Sequence, residues 1–177
     1  FKKQEPLPHK FEWIEIQKNM ENHEKNRQHA HTDIDNDALF ALRDIRPTSV
    51  RVLVLNELER AECALSLSDL EGRLATVDKS SIFRTLNLFL SHHMVHCIED
   101  GTGMTKYALC EPDCHCGEKN KSASLTDLHT HFRCERCGRT FCLRGLPVPS
   151  VPLPPGFKLT SANYVLVGLC PECSHIL

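Results

Sequence analysis

The stretch His129-Thr130-His131-Phe132-Arg133-Cys134-Glu135-Arg136-Cys137-Gly138 decides how this chain is read. Cys134 and Cys137 form a C-x-x-C pair, and Cys170 and Cys173 form a second one after 32 intervening residues. Two such knuckles supply four thiolates, the donor set of one closed tetrahedral zinc site. His129 and His131 stand too close to the first knuckle to complete the same tetrahedron, so they point to a second metal. The spacing predicts a segment with a structural metal at one end and a functional metal at the other.

Composition supports thiolate chemistry over disulfides. The chain has 177 residues, ten cysteines, eleven histidines, 41% hydrophobic residues and a formal charge of −2. That length allows one large or two small domains with a buried core. The charge gives no global basic signature. Residues 1–30 carry Lys, Glu, Asn and His throughout and lack the apolar centre of a secretory leader. No run approaches the roughly 18 apolar residues of a membrane span. The expectation is a cytoplasmic protein with reduced cysteines and no membrane partner.

Upstream, residues 38–110 alternate helical and turn signals. Ala38–Asp44 reads as a short helix, and Arg46-Pro47-Thr48 as a break and a new start. Val50, Val52, Leu53, Leu55 and Leu58 give the apolar face of a helix ending near Arg60. Ser66 or Ser68 caps the next helix, with Leu67, Leu70 and Leu74 facing inward. Asp78 is a strong N-cap for a third, in which Ile82, Leu86, Phe89 and Leu90 keep helical spacing. Met94–Ile98 and Thr105–Leu109 then read as strands around the turn Gly101-Thr102-Gly103. Three helices and a hairpin spell a winged helix-turn-helix, whose third helix would enter a major groove. That helix is expected to expose Lys79, Ser80, Ser81, Arg84 and Thr85, with hydroxyls for phosphates and an arginine fork for guanine or phosphate. Residues 43–92 hold seven basic and seven acidic residues. Charge therefore leaves a protein-interaction winged helix open beside a DNA-binding one.

The flanks are less informative. Residues 1–37 are mixed in charge and read as an N-terminal arm; its His29 and His31 have no nearby third ligand. Residues 111–131 read as a hinge and metal-binding loop, with Cys114, His115 and Cys116 as possible extra ligands. Residues 132–177 read as a small, mostly β domain. Phe132–Cys134 and Thr140–Leu143 would be strands around the knuckle, with Phe157–Leu159 and Asn163–Gly168 as further strands. Five prolines within Leu146–Pro155 exclude a helix there. A module this small gains stability by pairing with a second copy. Cys63, Cys97 and Cys142 read as packed thiols.

Arg46-Pro-Thr, Ser-Ile-Phe-Arg-Thr-Leu86, Tyr-Ala-Leu109, His-Thr-His-Phe-Arg-Cys-Glu-Arg-Cys-Gly138 and Gly-Leu-Cys-Pro-Glu-Cys173 resemble, in order and spacing, the ferric uptake regulator (Fur) family. The resemblance covers about residues 38–177. It implies an α+β chain: an N-terminal winged helix-turn-helix plus a small C-terminal α/β, mostly β, dimerisation domain with structural zinc. It also implies a homodimeric, metal-responsive transcriptional repressor that binds palindromic operator DNA. The family's structural zinc cysteines fall on Cys134, Cys137, Cys170 and Cys173, one zinc per chain. Its recognition-helix arginine falls on Arg84 beside Phe83, and a basic residue used near the minor groove falls on Arg46.

The sensor positions depart from iron and peroxide sensors, which use His and carboxylates. The expected strand glutamate is Ala108, and the His-His-Asp-His run is Leu128-His-Thr-His131. The set resembles that of zinc-uptake regulators (Zur), with His96, Cys110, His129 and His131 as the ligands of a second divalent metal, expected to be zinc. An iron- or peroxide-sensing relative and a zinc-ribbon winged-helix adaptor remain the alternatives. An enzyme is not expected, since neither H-E-x-x-H nor the deaminase H-x-E is present.

Overall fold

A computed structural model of the chain describes residues 35–110, 129–148, 152–158 and 162–175. The arm reading up to residue 34, with His29 and His31, lies outside them. So do Cys114, His115 and Cys116.

The described chain opens with four helices: α1 (Asn36–Leu42), α2 (Ser49–Arg60), α3 (Leu67–Arg73) and α4 (Lys79–Ser91). The starts are written in short polar side chains. Thr48 accepts from the amide of Arg51, and Asp78 accepts from that of Ser81 at 2.9 Å. Ser66 and Asp69 close a reciprocal capping box. Each such cap is worth about 1 kcal/mol. The spacing of Ile82, Leu86 and Phe89 buries one face of α4 completely. It packs there against Phe40, Leu55 and Leu70 in a single cluster. Leu53 departs from the expected stripe and is 40% exposed. It precedes the buried pair Val54 and Leu55 and falls off the inward face.

β2 (Val95–Glu99) and β3 (Thr105–Leu109) form the expected antiparallel hairpin, with His96 opposite Ala108 and Cys97 opposite Tyr107. Its turn needs its glycines, since Gly101 and Gly103 sit at φ +84° and +79°. A two-residue strand, β1 (Leu65–Ser66), pairs with β3 and ties the helices to the hairpin.

The second sheet has the order β5-β4-β6, with β4 (His129–Cys134) in the centre, β5 (Thr140–Pro147) antiparallel and β6 (Val165–Gly168) parallel. Two expectations are corrected here, and one strand runs longer than expected. β4 begins at His129, so His129 and His131 belong to a strand and not to a hinge loop. β5 runs on to Pro147, into the proline-rich stretch, as an edge strand can. The strand expected from Phe157 is absent at Phe157–Lys158. Pro154 and Pro155 contribute no amide donors, and the Phe157 amide closes a turn onto Pro154 O at 3.2 Å. A one-turn helix, α5 (Pro171–Ser174), carries the second knuckle.

The two sheets touch directly. Ala64 donates its amide to Thr140 O at 2.8 Å, and the Asn163 side chain donates to Glu99 O at 2.8 Å. None of the helices in the described residues is long and apolar enough to cross a membrane.

Candidate metal centres

The knuckles converge. The Sγ atoms of Cys134, Cys137, Cys170 and Cys173 all lie within 4.8 Å of one another, and Cys137 Sγ is 3.9 Å from Cys170 Sγ. A zinc–sulfur bond near 2.3 Å implies a tetrahedral S–S edge of about 3.8 Å. Local backbone dictates the arrangement. Gly138, at φ +70°, turns the chain after Cys137, and its amide donates to Cys134 O at 2.9 Å. Amides near Cys134 stabilise its thiolate and lower its pKa to about 6. The Arg139 guanidinium, 3.4 Å from Cys137 Sγ, lowers that thiol as well. Burial pushes Cys173 up to about 12. Cys134 and Cys137 are thus pulled toward the thiolate and Cys173 away from it, and a dication would favour the thiolate form. The donor set fits a closed zinc site.

The second cluster straddles the two sheets. His131 and Cys142 face each other across β4 and β5 in register. His129 stands beside His131, their ring centroids 4.6 Å apart, across a bulge at His129–Thr130. From the hairpin, His96 enters with Nε2 3.4 Å from His131 Nε2 and 3.5 Å from Cys142 Sγ. Zinc–ligand bonds of about 2.0–2.3 Å imply tetrahedral edges near 3.4 Å for N–N and 3.6 Å for N–S. One donor atom from each of His96, His129, His131 and Cys142 lies within 4.8 Å of every other. Burial and the neighbouring His129 push the His131 pKa down to about 4. It is therefore a neutral imidazole at physiological pH, the form that ligates. The chemistry and spacing of this set fit a single divalent ion.

Three of the expected quartet, His96, His129 and His131, meet here, and the fourth donor within reach of all three is Cys142. Cys142, expected to be a packed thiol, lies inside the cluster. Cys110 lies against the opposite ring nitrogen of His96, with Sγ 3.7 Å from Nδ1. An imidazole ligating through Nε2 would turn Nδ1 toward a supporting partner, the place Cys110 occupies here. The signal for Cys142 was available. Counting outward from the knuckle pairs Arg133 with Thr140, Phe132 with Phe141 and His131 with Cys142. Of the other two thiols, Cys63 packs half-buried against the helical core, while Cys97 is exposed on the hairpin instead of packed.

The helical face expected to contact DNA forms an open groove of about 230 Å³ lined by Thr48, Val50, Arg51, Ser81, Arg84 and Thr85. Arg46, Lys79, Ser80, Phe83 and Arg84 are exposed. Arg84 donates to Ser81 Oγ at 2.9 Å, and Arg51 to Arg46 O at 2.6 Å. Thr85 is only 6% exposed, because it falls on the inward face with Leu86. It forms the groove floor and is not the exposed contact expected. Lys79 is paired with Glu71 at 2.9 Å. Thr48 and Arg51 are lining residues that periodicity did not single out.

No protein-family profile matches the sequence, and no curated relative matches it either. Solved structures do match in fold. A zinc uptake regulator complexed with zinc and DNA aligns at 20% identity and TM-score 0.51, over 91% of this chain and 96% of that one. The Vibrio cholerae ferric uptake regulator aligns at 18% identity and TM-score 0.50, over 77% of this chain and all of that one. The chain therefore shares the fold of these metal-uptake regulators.

Proposed function

We propose that the protein is a Fur-family, metal-responsive transcriptional repressor whose second site senses zinc. The observation that carries this reading is the mixed His/Cys set, with His96 supplied by the hairpin and His129, His131 and Cys142 by the C-terminal sheet. An ion bound there stabilises one placement of the winged helix relative to the sheet, by its differential affinity for that placement. In a cytoplasmic homodimer this sets the separation of the two α4 helices to match two half-sites of a palindromic operator. Arg46, Arg51, Ser81 and Arg84 would contact the phosphates and bases.

The three imidazoles and one thiolate suit zinc, which is tetrahedral and redox-inert, better than iron, which prefers oxygen-rich shells at a sensor. Cys134, Cys137, Cys170 and Cys173 would hold one permanent structural zinc. The test is a zinc titration into protein stripped at the second site, following binding to duplex operator DNA selected from a random pool. Affinity should rise by one to two orders of magnitude, the usual range of such coupling. Zinc-independent affinity would refute the sensor reading, and the absence of salt-dependent duplex binding would favour an adaptor.

A further inference from the structure

A buried polar cluster at the sheet junction belongs to neither metal centre. Lys106 on β3 is 2.9 Å from the carboxylate of Asp100, just after β2, with their side chains 7% and 0% exposed. The same ammonium donates to Gly138 O at 2.6 Å and Thr140 Oγ1 at 3.0 Å. Its three protons therefore meet three acceptors. Thr140 Oγ1 donates onward to Asp100 Oδ2 at 2.6 Å. Thr102, through its amide at 3.1 Å and its hydroxyl at 2.5 Å, satisfies Asp100 Oδ1.

Three of these groups, Asp100, Thr102 and Lys106, belong to the hairpin, and two, Gly138 and Thr140, to the C-terminal sheet and its knuckle. Of the latter, Gly138 closes the first cysteine knuckle and Thr140 starts β5, two residues before Cys142. A buried ion pair is a weak source of net stability, since desolvating both charges offsets most of their attraction. What the satisfied cluster does supply is one orientation: both charges ride on the hairpin, so sliding or tilting it would keep the ion pair but strip the buried ammonium of Gly138 O and Thr140 Oγ1 and the buried carboxylate of the Thr140 hydroxyl.

We propose that Asp100, Lys106 and Thr140 form a latch that sets the hairpin on the knuckle and so positions His96 opposite His131 and Cys142 before any ion enters. The latch makes the four-cysteine knuckle the platform for the second site. Its effect on metal affinity rests on the reading of that site as a metal centre; its effect on the junction does not.

Two measurements test it on the full chain, with the metal of the four-cysteine site kept and the second site stripped. The first is amide hydrogen exchange at Ala64, whose N–H crosses the junction to Thr140 O. Lys106→Met and the milder Thr140→Val should speed exchange there at least tenfold, while Leu86 in the helical core keeps its protection. Unchanged exchange at Ala64 overturns the latch, and should Lys106→Met fail to fold, Thr140→Val decides. The second is cobalt(II) titration with chelator competition. The wild type should show thiolate-to-cobalt absorption, and Thr140→Val should keep the band but bind about tenfold more weakly, as loss of supporting contacts does. Equal affinity overturns the positioning role. A wild type that binds no cobalt at the second site refutes the metal reading, and the exchange result then decides the latch alone. The double change Asp100→Leu/Lys106→Met separates orientation from stability: stability should return while cobalt affinity stays low. Recovery of both would mean that the pair only filled space.

Discussion

The two clusters are built from the same strand, β4, yet they differ in every respect that governs exchange. The four-cysteine set draws its ligands from two knuckles within one layer, and three of its four cysteines are buried. Arg139 covers it, donating toward Cys137 and Cys170, pairing with Glu172 and lying 5.4 Å from the Phe141 ring centre. The His96 set joins two sheets, and three of its four ligands are half-buried. A site whose ligands are tied to one sheet would keep its ion. A site whose ligands come from separate elements gives up affinity whenever those elements part. On the proposed reading, permanence and responsiveness would thus follow from which pieces of chain are joined, before donor chemistry is considered.

That contrast can be broken in order of severity. Cys134→Ser should have the largest effect. Structural zinc sites carry binding free energies on the order of 10 kcal/mol, and losing one should abolish cooperative unfolding of the C-terminal sheet. Calorimetry would read this as loss of part of the transition, whereas an intact transition would mean that the knuckles need no metal.

Cys142→Ser should be milder for the fold and severe for the second site. Stability without the second ion should change by about 1 kcal/mol or less, while zinc affinity falls by more than about 100-fold, beyond the supporting-contact range. Cys110→Ser should cost only about ten- to 100-fold by the same measure. Chelator competition ranks the two, and the reverse order would return Cys110 to the tetrahedron.

The smallest effect concerns pH. Burial alone would raise the Asp100 carboxyl, but hydrogen bonds from Thr102, Thr140 and Lys106 outweigh it and hold it far below the usual carboxylate range. A depressed folded-state pKa stabilises the fold above the unfolded value, near 4, and that stability is lost as pH falls toward the folded value. The urea midpoint of the wild type should therefore drop more steeply below about pH 4 than that of Asp100→Asn. Both proteins lose metal in acid, so the difference between the two slopes is the readout.

Much of this architecture was legible because its signals are local. Caps at Thr48, Ser66 and Asp78, the 3.6-residue spacing in α4, the Gly101–Gly103 turn and the two C-x-x-C knuckles each act over a few residues. Expectation and structure part where distant segments meet. Cys142 resembles any small core thiol until β5 is laid against β4. Lys106 resembles a solvated strand residue until Gly138 and Thr140 arrive from more than 30 positions away. Thr85 departs for a different reason, one step of helical phase.

The parallel pairing of β4 with β6 also imposes an order of assembly. β4 can pair with β5 as soon as the knuckle turns at Gly138. Its other edge must wait for Val165–Gly168, when His131 donates its amide to Tyr164 O and Glu135 donates to Gly168 O. During synthesis, which delivers N-terminal segments first, the histidine pair is therefore in place on a half-finished sheet. It stays so until Val165–Gly168 has been made, and the second pair of thiols, Cys170 and Cys173, follows later still. On the proposed reading, each new molecule would acquire its structural metal late, and until then its sensing ligands would sit on an unfinished platform.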